Sequence, residues 1–348
     1  MSQSTMVVGG GPAGLQAAAT LSRLGFTVTL VEKENFLGGA VARHHYQVLM
    51  PDFSSGPELL QHLVQRVEKA PQITVYTGTE VASVFESHDL FDIELTGKVH
   101  RNIQVQAVVL ATGFDHFDPA RDGKYGYGLF PDVITGAELE DMLAKGPIHR
   151  PSNGASPQSV AFIYCVGSRD RQVGNTYCSR VCCAVSAKQA MELRHQLPKA
   201  RISMFYMDVR TYGLWEDTLY WRSQEEAGVV YVKGRIAEIT EQQGHPVLKG
   251  EDTLVRGPFE WPFDLVVLAA GMEPSRGTRE LAQKFQVPLE SHGFIKRASP
   301  IQNGTITENH GIFVAGTASG PKAIEDSIAE GDVAGLAVFE YLKARVTL

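Results

Sequence analysis

Apolar residues recur at helical spacing across Pro12–Leu24 (Ala13, Leu15, Ala17, Ala18, Leu21 and Leu24). Short continuous apolar runs flank that stretch. Met6–Gly9 reads as the end of a buried strand, and Thr27–Val31 as a second strand that stops at Glu32. The pattern predicts a βαβ unit. Two later runs have the same character: 107–111, ending in the small-residue turn Thr112-Gly113, and 311–315, ending at Gly316. A helical pattern over Ile324–Leu342 follows the second of them. Between these segments a second set appears. It comprises a strand from Ser159 to Tyr164, a helix running to about Gln196, a strand over Arg201–Met207 and a closing strand over 264–270. The Pro-, Ser- and Gly-rich stretch Lys145–Gln158 marks a boundary before this middle set.

Composition narrows the class. The 348 residues allow about two domains at roughly 100–200 residues each. Apolar residues make up 43% and charged residues 20%, enough for an ordinary core. The formal charge of −7 argues against nucleic acid, whose phosphates require a basic face. The N-terminus shows no basic region followed by a long apolar one, and no apolar run approaches the roughly 18 residues of a membrane span. The expectation is a soluble, cytoplasmic protein without a membrane span or nucleic-acid partner.

The turn after the first strand is Gly9-Gly10-Gly11-Pro12-Ala13-Gly14. Gly9 permits the tight turn, Gly11 lets backbone approach a pyrophosphate, and Gly14 lets helix and strand pack closely. The helix start offers unpaired N–H groups to phosphates. Glu32, at the end of the second strand, is placed to accept hydrogen bonds from ribose hydroxyls. A glycine-rich turn alone is weak support for a nucleotide. Here strand, helix, second strand and terminal acid stand in register, and a bound dinucleotide is expected.

The middle set begins as a second βαβ pattern but loses its phosphate loop. Where three glycines would stand, the chain reads Cys165-Val166-Gly167-Ser168-Arg169-Asp170. Cys165 ends the strand, while Cys178, Cys182 and Cys183 lie at or inside the start of the helix. On a helix, positions 178 and 182 would share one face, with 183 rotated by about 100°. Four thiolates meeting at one strand end suit an iron–sulfur cluster, and Arg169, Arg171 and Arg180 could offset its negative charge. Zinc also takes four cysteines, but its usual paired knuckles are missing from the spacing. Inert buried thiols remain an alternative.

Two levels of resemblance sharpen this reading. The stretch Glu32-Lys33-Glu34 followed by Leu37-Gly38-Gly39, with the turns at 107–113 and 311–316, resembles the two-dinucleotide-fold flavoproteins. That resemblance implies an α/β fold of the thioredoxin reductase and glutathione reductase type. An FAD-binding Rossmann-type domain would be split between 1–116 and 273–348, with a second Rossmann-like domain inserted over 117–272. FAD is the implied cofactor. Its implied contacts are Gly9, Gly11, Pro12, Ala13, Gly14, Glu32, Lys33, Gly39, Ala40, Arg43, His45, Val81, Ala111, Thr112, Gly113, Gly316, Lys322 and Ala323. Lys322 and Ala323 would open the last helix and aim a backbone N–H at the flavin. The run from Phe162 to Asp170, the run Tyr177–Cys183, Lys188-Gln189-Ala190, Tyr206–Arg210 and Gly320-Pro321-Lys322 resemble the A subunits of heterodisulfide reductase. In that family the four motif cysteines hold a [4Fe–4S] cluster, a role that carries over to Cys165, Cys178, Cys182 and Cys183.

Methanogen-type members carry additional cysteine-rich segments that this sequence does not contain. It is similar instead to the trimmed A subunits of heterodisulfide reductase-like complexes linked to sulfur oxidation. The resemblance implies an FAD- and [4Fe–4S]-containing oxidoreductase subunit for electron transfer, a homodimer, and other heterodisulfide reductase-like subunits as partners. The alternative is a free-standing NAD(P)H-dependent flavin oxidoreductase with a structural metal site. Lys188, just past the cysteine pair, is a candidate for tuning the flavin, set against a solvated lysine. His44 and Arg43 are weighed as cleft residues in the same way. Trp215, Trp221, Tyr212 and Tyr220 are read as packing or subunit-contact residues.

Overall fold

A computed structural model describes residues 3–87, 90–301 and 303–346. The chain divides into two compact units. The first holds 1–43, 57–115 and 273–348, and the second holds 44–56 and 116–272.

The first unit is built on a five-stranded parallel sheet. Its strands lie in the order Ile312–Val314, Ala107–Leu110, Ser4–Val8, Thr27–Glu32 and Ile73–Thr77. The central strands are buried on both faces (Met6, Val7, Val108, Val109), which is why they read as unbroken apolar runs. One face is covered by the helices Pro12–Arg23 and Ile324–Val346. These two approach closely because Gly331 faces the first helix; a Cβ there would stand 2.4 Å from the Ala13 carbonyl oxygen. The expected βαβ order is present, and the last helix begins at Ile324, just after Lys322 and Ala323.

The second unit repeats the architecture. Its parallel sheet runs Val133–Thr135, Leu265–Ala270, Ser159–Val166, Arg201–Tyr206 and Val230–Lys233. Helices Gly136–Lys145 and Cys182–Gln196 carry the side chains that pack with its core. The first of these opens with a capping box, in which Thr135 and Glu138 satisfy each other's backbone N–H groups. Segment 44–56 groups with this unit, although the sequence placed it with the nucleotide-binding one. Its side chains explain the difference: Tyr46 hydrogen-bonds His116, His45 pairs with Asp141, and Phe53 packs on the second unit's core. Among the described residues, no helix is long and apolar enough to cross a membrane.

Candidate functional site

The glycine-rich turn of the first unit forms a cradle of bare backbone. Gly9 has φ 111°, and a Cβ on Gly14 would stand 1.8 Å from the Gly9 carbonyl oxygen, so only glycine fits there. Gly11 and Gly39 oppose each other across their Cα atoms, leaving a gap that a side chain would fill. Gly11 is the N-cap of helix Pro12–Arg23 and supplies no side-chain cap. The first-turn N–H groups of that helix therefore have no intrahelical partner, and they suit a phosphate. Glu32 is buried, with one oxygen accepting from the Gly10 N–H (2.6 Å) and the other from the Glu34 N–H (2.8 Å). Each oxygen keeps a second lone pair, so the carboxylate can still accept from a hydroxyl. The fit to an extended dinucleotide is good on these grounds.

The remaining sequence-selected positions fall around the same unit. Arg43 pairs with Glu34 at 3.0 Å, and Lys33 is exposed. Ala40 lies in the short helix Gly39–Arg43. Ala111 is buried, Thr112 shares a hydrogen bond with Thr278, and Gly113 has φ 75° with open space where a Cβ would be. Val81 is buried at a register irregularity in its strand, and its carbonyl accepts from Lys284. Lys322 is also buried. Its ammonium is 2.7 Å from the Gly316 carbonyl, from Ser319 Oγ and from Glu330 Oε2. Burial holds its pKa below the ordinary lysine value, with Glu330 opposing. Its side chain thus holds the turn at Gly316, while Ala323 contributes a carbonyl that accepts from the Ser327 N–H. His45 lies in the second unit rather than the first, exposed and 2.8 Å from Asp141. His44 also lies there, with its ring against Tyr46 and His116.

The cysteines are assembled by a local break in strand geometry. Along Ser159–Val166, Val160, Phe162 and Tyr164 face one core, while Ala161, Ile163 and Val166 face the other. Strict alternation would put Cys165 with Ala161 and Ile163. A register shift between Ile163 and Val166, with Cys165 at φ 61°, turns it instead onto the core that holds Cys182 and Cys183. The helix starts at Cys182, so Cys178 precedes it, and the expected stacking of 178 over 182 on one helix face does not occur. The break has two causes. Arg180 is left-handed (φ 65°), and Ser179 is tied down by Ser168 Oγ and by the Met272 N–H.

Three of the four sulfurs receive N–H donors. The Arg180 N–H reaches Cys178 Sγ at 3.3 Å, the Arg169 guanidinium lies 3.9 Å from Cys165 Sγ, and the Arg210 backbone N–H reaches Cys183. Burial, reinforced by Cys183, pushes the Cys165 thiol up to about 11. A hydrogen bond between Cys182 and Cys183 raises the first and lowers the second, with Cys165 and Cys178 adding to the rise at Cys182. The four thiols therefore feel one another's charge. Among the described residues, no three His, Cys, Asp or Glu side chains converge as closely as a single metal ion requires. A four-iron cluster is wider than one ion and spaces its thiolates further apart. An all-thiolate set with N–H donors at the sulfurs has the chemistry of such a cluster.

Lys188 is buried rather than solvated. Its ammonium is 2.6 Å from Glu140 and 2.7 Å from Glu192. Burial raises the Glu192 carboxyl against the pull of Lys188. The i,i+4 spacing of Lys188 and Glu192 was visible in the sequence; Glu140, on another helix, was not. The backbone of Arg210 was also missed, because a main-chain donor leaves no mark in residue types. Gly167, the lone glycine of the lost phosphate loop, is closed off: a Cβ there would lie 2.0 Å from the Phe117 ring.

Two α/β units, the first with a glycine cradle at a helix start, define a flavoprotein oxidoreductase of the two-dinucleotide-fold class. A pyridine nucleotide-disulphide oxidoreductase family model matches residues 3–146. Lactococcus lactis thioredoxin reductase superposes with a TM-score of 0.68 at 15% identity, covering 99% of this chain and 100% of that one. The thioredoxin reductase of T. acidophilum gives 0.66 at 17% identity, covering 99% of each. Within that class, the chain belongs to the family of heterodisulfide reductase A subunits. It is 39% identical to the A-type subunit of the H(2):CoB-CoM heterodisulfide,ferredoxin reductase of Methanothermobacter thermautotrophicus over 71% of this chain and 38% of that one. It is 31% identical to an iron-sulfur A-type subunit of the CoB–CoM heterodisulfide reductase of Methanopyrus kandleri over 94% of this chain and 63% of that one. With the Methanosarcina acetivorans relative the figures are 30% identity, 98% of this chain and 53% of the relative. The chain thus spans roughly four-tenths to six-tenths of the length of these relatives.

Proposed function

We propose that this chain is an electron-transfer subunit that binds FAD in its first unit and a [4Fe–4S] cluster at Cys165, Cys178, Cys182 and Cys183 in its second. It would work with heterodisulfide reductase-like partner subunits in sulfur-compound oxidation. The observation that carries this reading is the turn of Cys165 out of strand alternation, onto the core shared with Cys182 and Cys183. A left-handed cysteine in a strand is strained, and strain of this kind is kept where a site requires it. When bound, the two groups would supply interconversion of two-electron and one-electron transfer. The chain's own part is to bind and orient them. The glycine cradle and Glu32 would hold the dinucleotide, while the N–H donors from Arg169, Arg180 and Arg210 would stabilise charge on the sulfurs. Lys188 would influence the flavin only as part of its triad with Glu140 and Glu192, because its charge is compensated there.

The single glycine after Ser159–Val166, where a phosphate loop would carry three, speaks against a second pyridine-nucleotide loop, and so against a free-standing NAD(P)H reductase. Anaerobic purification followed by iron, acid-labile sulfide and flavin quantification tests the proposal. About four irons and four sulfides per chain with one FAD are expected. Zinc or no metal, or rapid bleaching of the flavin by NADH in the isolated chain, would overturn it.

A further inference from the structure

A line of oxidisable rings runs from the cysteines to the surface of the second unit. Tyr164, next to Cys165 in the chain, is buried in the core that holds Cys182 and Cys183, and it feels the charge of both. Its hydroxyl lies 3.3 Å from the Cys183 carbonyl oxygen and hydrogen-bonds the Tyr231 hydroxyl. The half-buried Tyr231 ring meets the Tyr220 ring edge-on, with centroids 4.9 Å apart, and its hydroxyl is 2.9 Å from Ser223 Oγ. Tyr220 and Trp221 stand 5.0 Å apart at the end of the π-helix Glu216–Trp221, and Trp221 is 47% exposed.

Packing alone does not select these residues. The core on the other face of the sheet takes its large rings mainly as phenylalanine (Phe117, Phe205, Phe259 and Phe263). On the cysteine face, Tyr164, Tyr206 and Tyr231 stand beside Phe162 and Phe53. A phenylalanine fills the same space without burying a hydroxyl. What a tyrosine or tryptophan adds is a ring that gives up an electron readily, and rings in contact pass it on in short steps. The π-helix that ends the line is a form found frequently at functional sites.

We propose that Tyr164, Tyr231, Tyr220 and Trp221 are a relay that carries oxidising equivalents from the cysteine site to the surface and so spares the sulfurs. The inference rests on the cluster reading given above, because ferrous iron is what turns hydrogen peroxide into hydroxyl radical. The radical takes a hydrogen atom from the Tyr164 hydroxyl and becomes water. Tyr164 recovers an electron and a proton from Tyr231 across their hydrogen bond. Tyr231 recovers its electron from Tyr220 through the touching rings, and its proton by way of Ser223. Tyr220 recovers an electron from Trp221, and the Tyr220 and Trp221 protons exchange with solvent. A small thiol in solution then gives Trp221 a hydrogen atom, and two thiyl radicals join as a disulfide. The sum is one hydroxyl radical and one thiol converted to water and half a disulfide, with the chain unchanged.

The test treats the purified protein with hydrogen peroxide in thiol-free buffer and maps oxidised residues by peptide mass spectrometry. Trp261 is the internal control: it is 39% exposed, belongs to the same unit and packs on Phe259 and Phe205. In the wild type, Trp221 should be oxidised severalfold more than Trp261. Tyr231→Phe and Tyr220→Phe interrupt successive links, and each should remove that excess and raise oxidation of the cysteines. Equal oxidation of the two tryptophans in the wild type, or an excess at Trp221 that survives either substitution, would overturn the proposal. Iron content measured on the same samples separates the two ideas. Equal oxidation in iron-loaded wild type would sink the relay and leave the cluster reading standing. Iron-free wild type with an excess at Trp221 that the substitutions remove would sink the cluster reading and leave the relay.

Discussion

At the scale of single residues, the site is held by groups whose partners are backbone atoms. Glu32 accepts from Gly10 and Glu34 N–H groups, so its removal would orphan two donors as well as any ribose contact. Glu32→Ala should weaken FAD binding by about 1–3 kcal/mol, read by flavin fluorescence titration; unchanged affinity would count against the ribose role. Asp170 offers a pH handle. Burial acts to raise its pKa, but the Gln172 N–H, Lys124 and Arg235 outweigh it and hold the carboxyl below its ordinary value. A depressed folded pKa means that the stabilisation is present above the unfolded value, about 3.9, and is lost as pH falls through the folded one. Urea midpoints of the wild type and Asp170→Asn should therefore differ at pH 7, and the gap should begin to close only as pH falls below about 4. A gap that persists in acid would mean that the carboxylate's charge is not what matters.

At the scale of elements, a bulge and a buried ion triad decide what the second unit can do. The bulge moves one side chain across the sheet, bringing Cys165 to the core that holds Cys182 and Cys183. The triad joins helix Gly136–Lys145 to helix Cys182–Gln196 through Glu140 and Lys188. Gln189 adds donations to Glu140 and to the Gly136 carbonyl. Removing the ammonium would strand two carboxylates in a dry interior. Lys188→Met should cost about 3–5 kcal/mol, and Lys188→Met with Glu140→Gln less than that. Urea denaturation of both variants checks this. A double-variant loss equal to the sum of the losses in Lys188→Met and Glu140→Gln alone would show that the pair is not energetically coupled.

At the scale of the whole molecule, the two sets of candidate ligands belong to different units. The glycine cradle and Glu32 lie in the first, and all four cysteines lie in the second. Each unit has its own parallel sheet and core, so damage to one need not empty the other. Cys182→Ser should lose iron and keep its yellow flavin, measured by metal analysis and the visible spectrum. Equal iron in variant and wild type would remove Cys182 from the ligand set.

The sequence by itself determined the βαβ units, the glycine turn and the family, because these depend on local periodicity and on residues close together in the chain. Pro12–Arg23 and the strands around it were legible for that reason. The placement of Cys165, the start of the helix at Cys182 rather than Cys178, the burial of Lys188 and the pairing of Tyr164 with Tyr231 were decided only by tertiary structure. Each depends on a partner far along the chain: Met272 for the Ser179 turn, Glu140 for Lys188, Tyr231 for Tyr164. Alternation and helical spacing describe a segment against an average environment. They cannot register a left-handed residue, or a backbone N–H, that only the packed neighbour makes favourable.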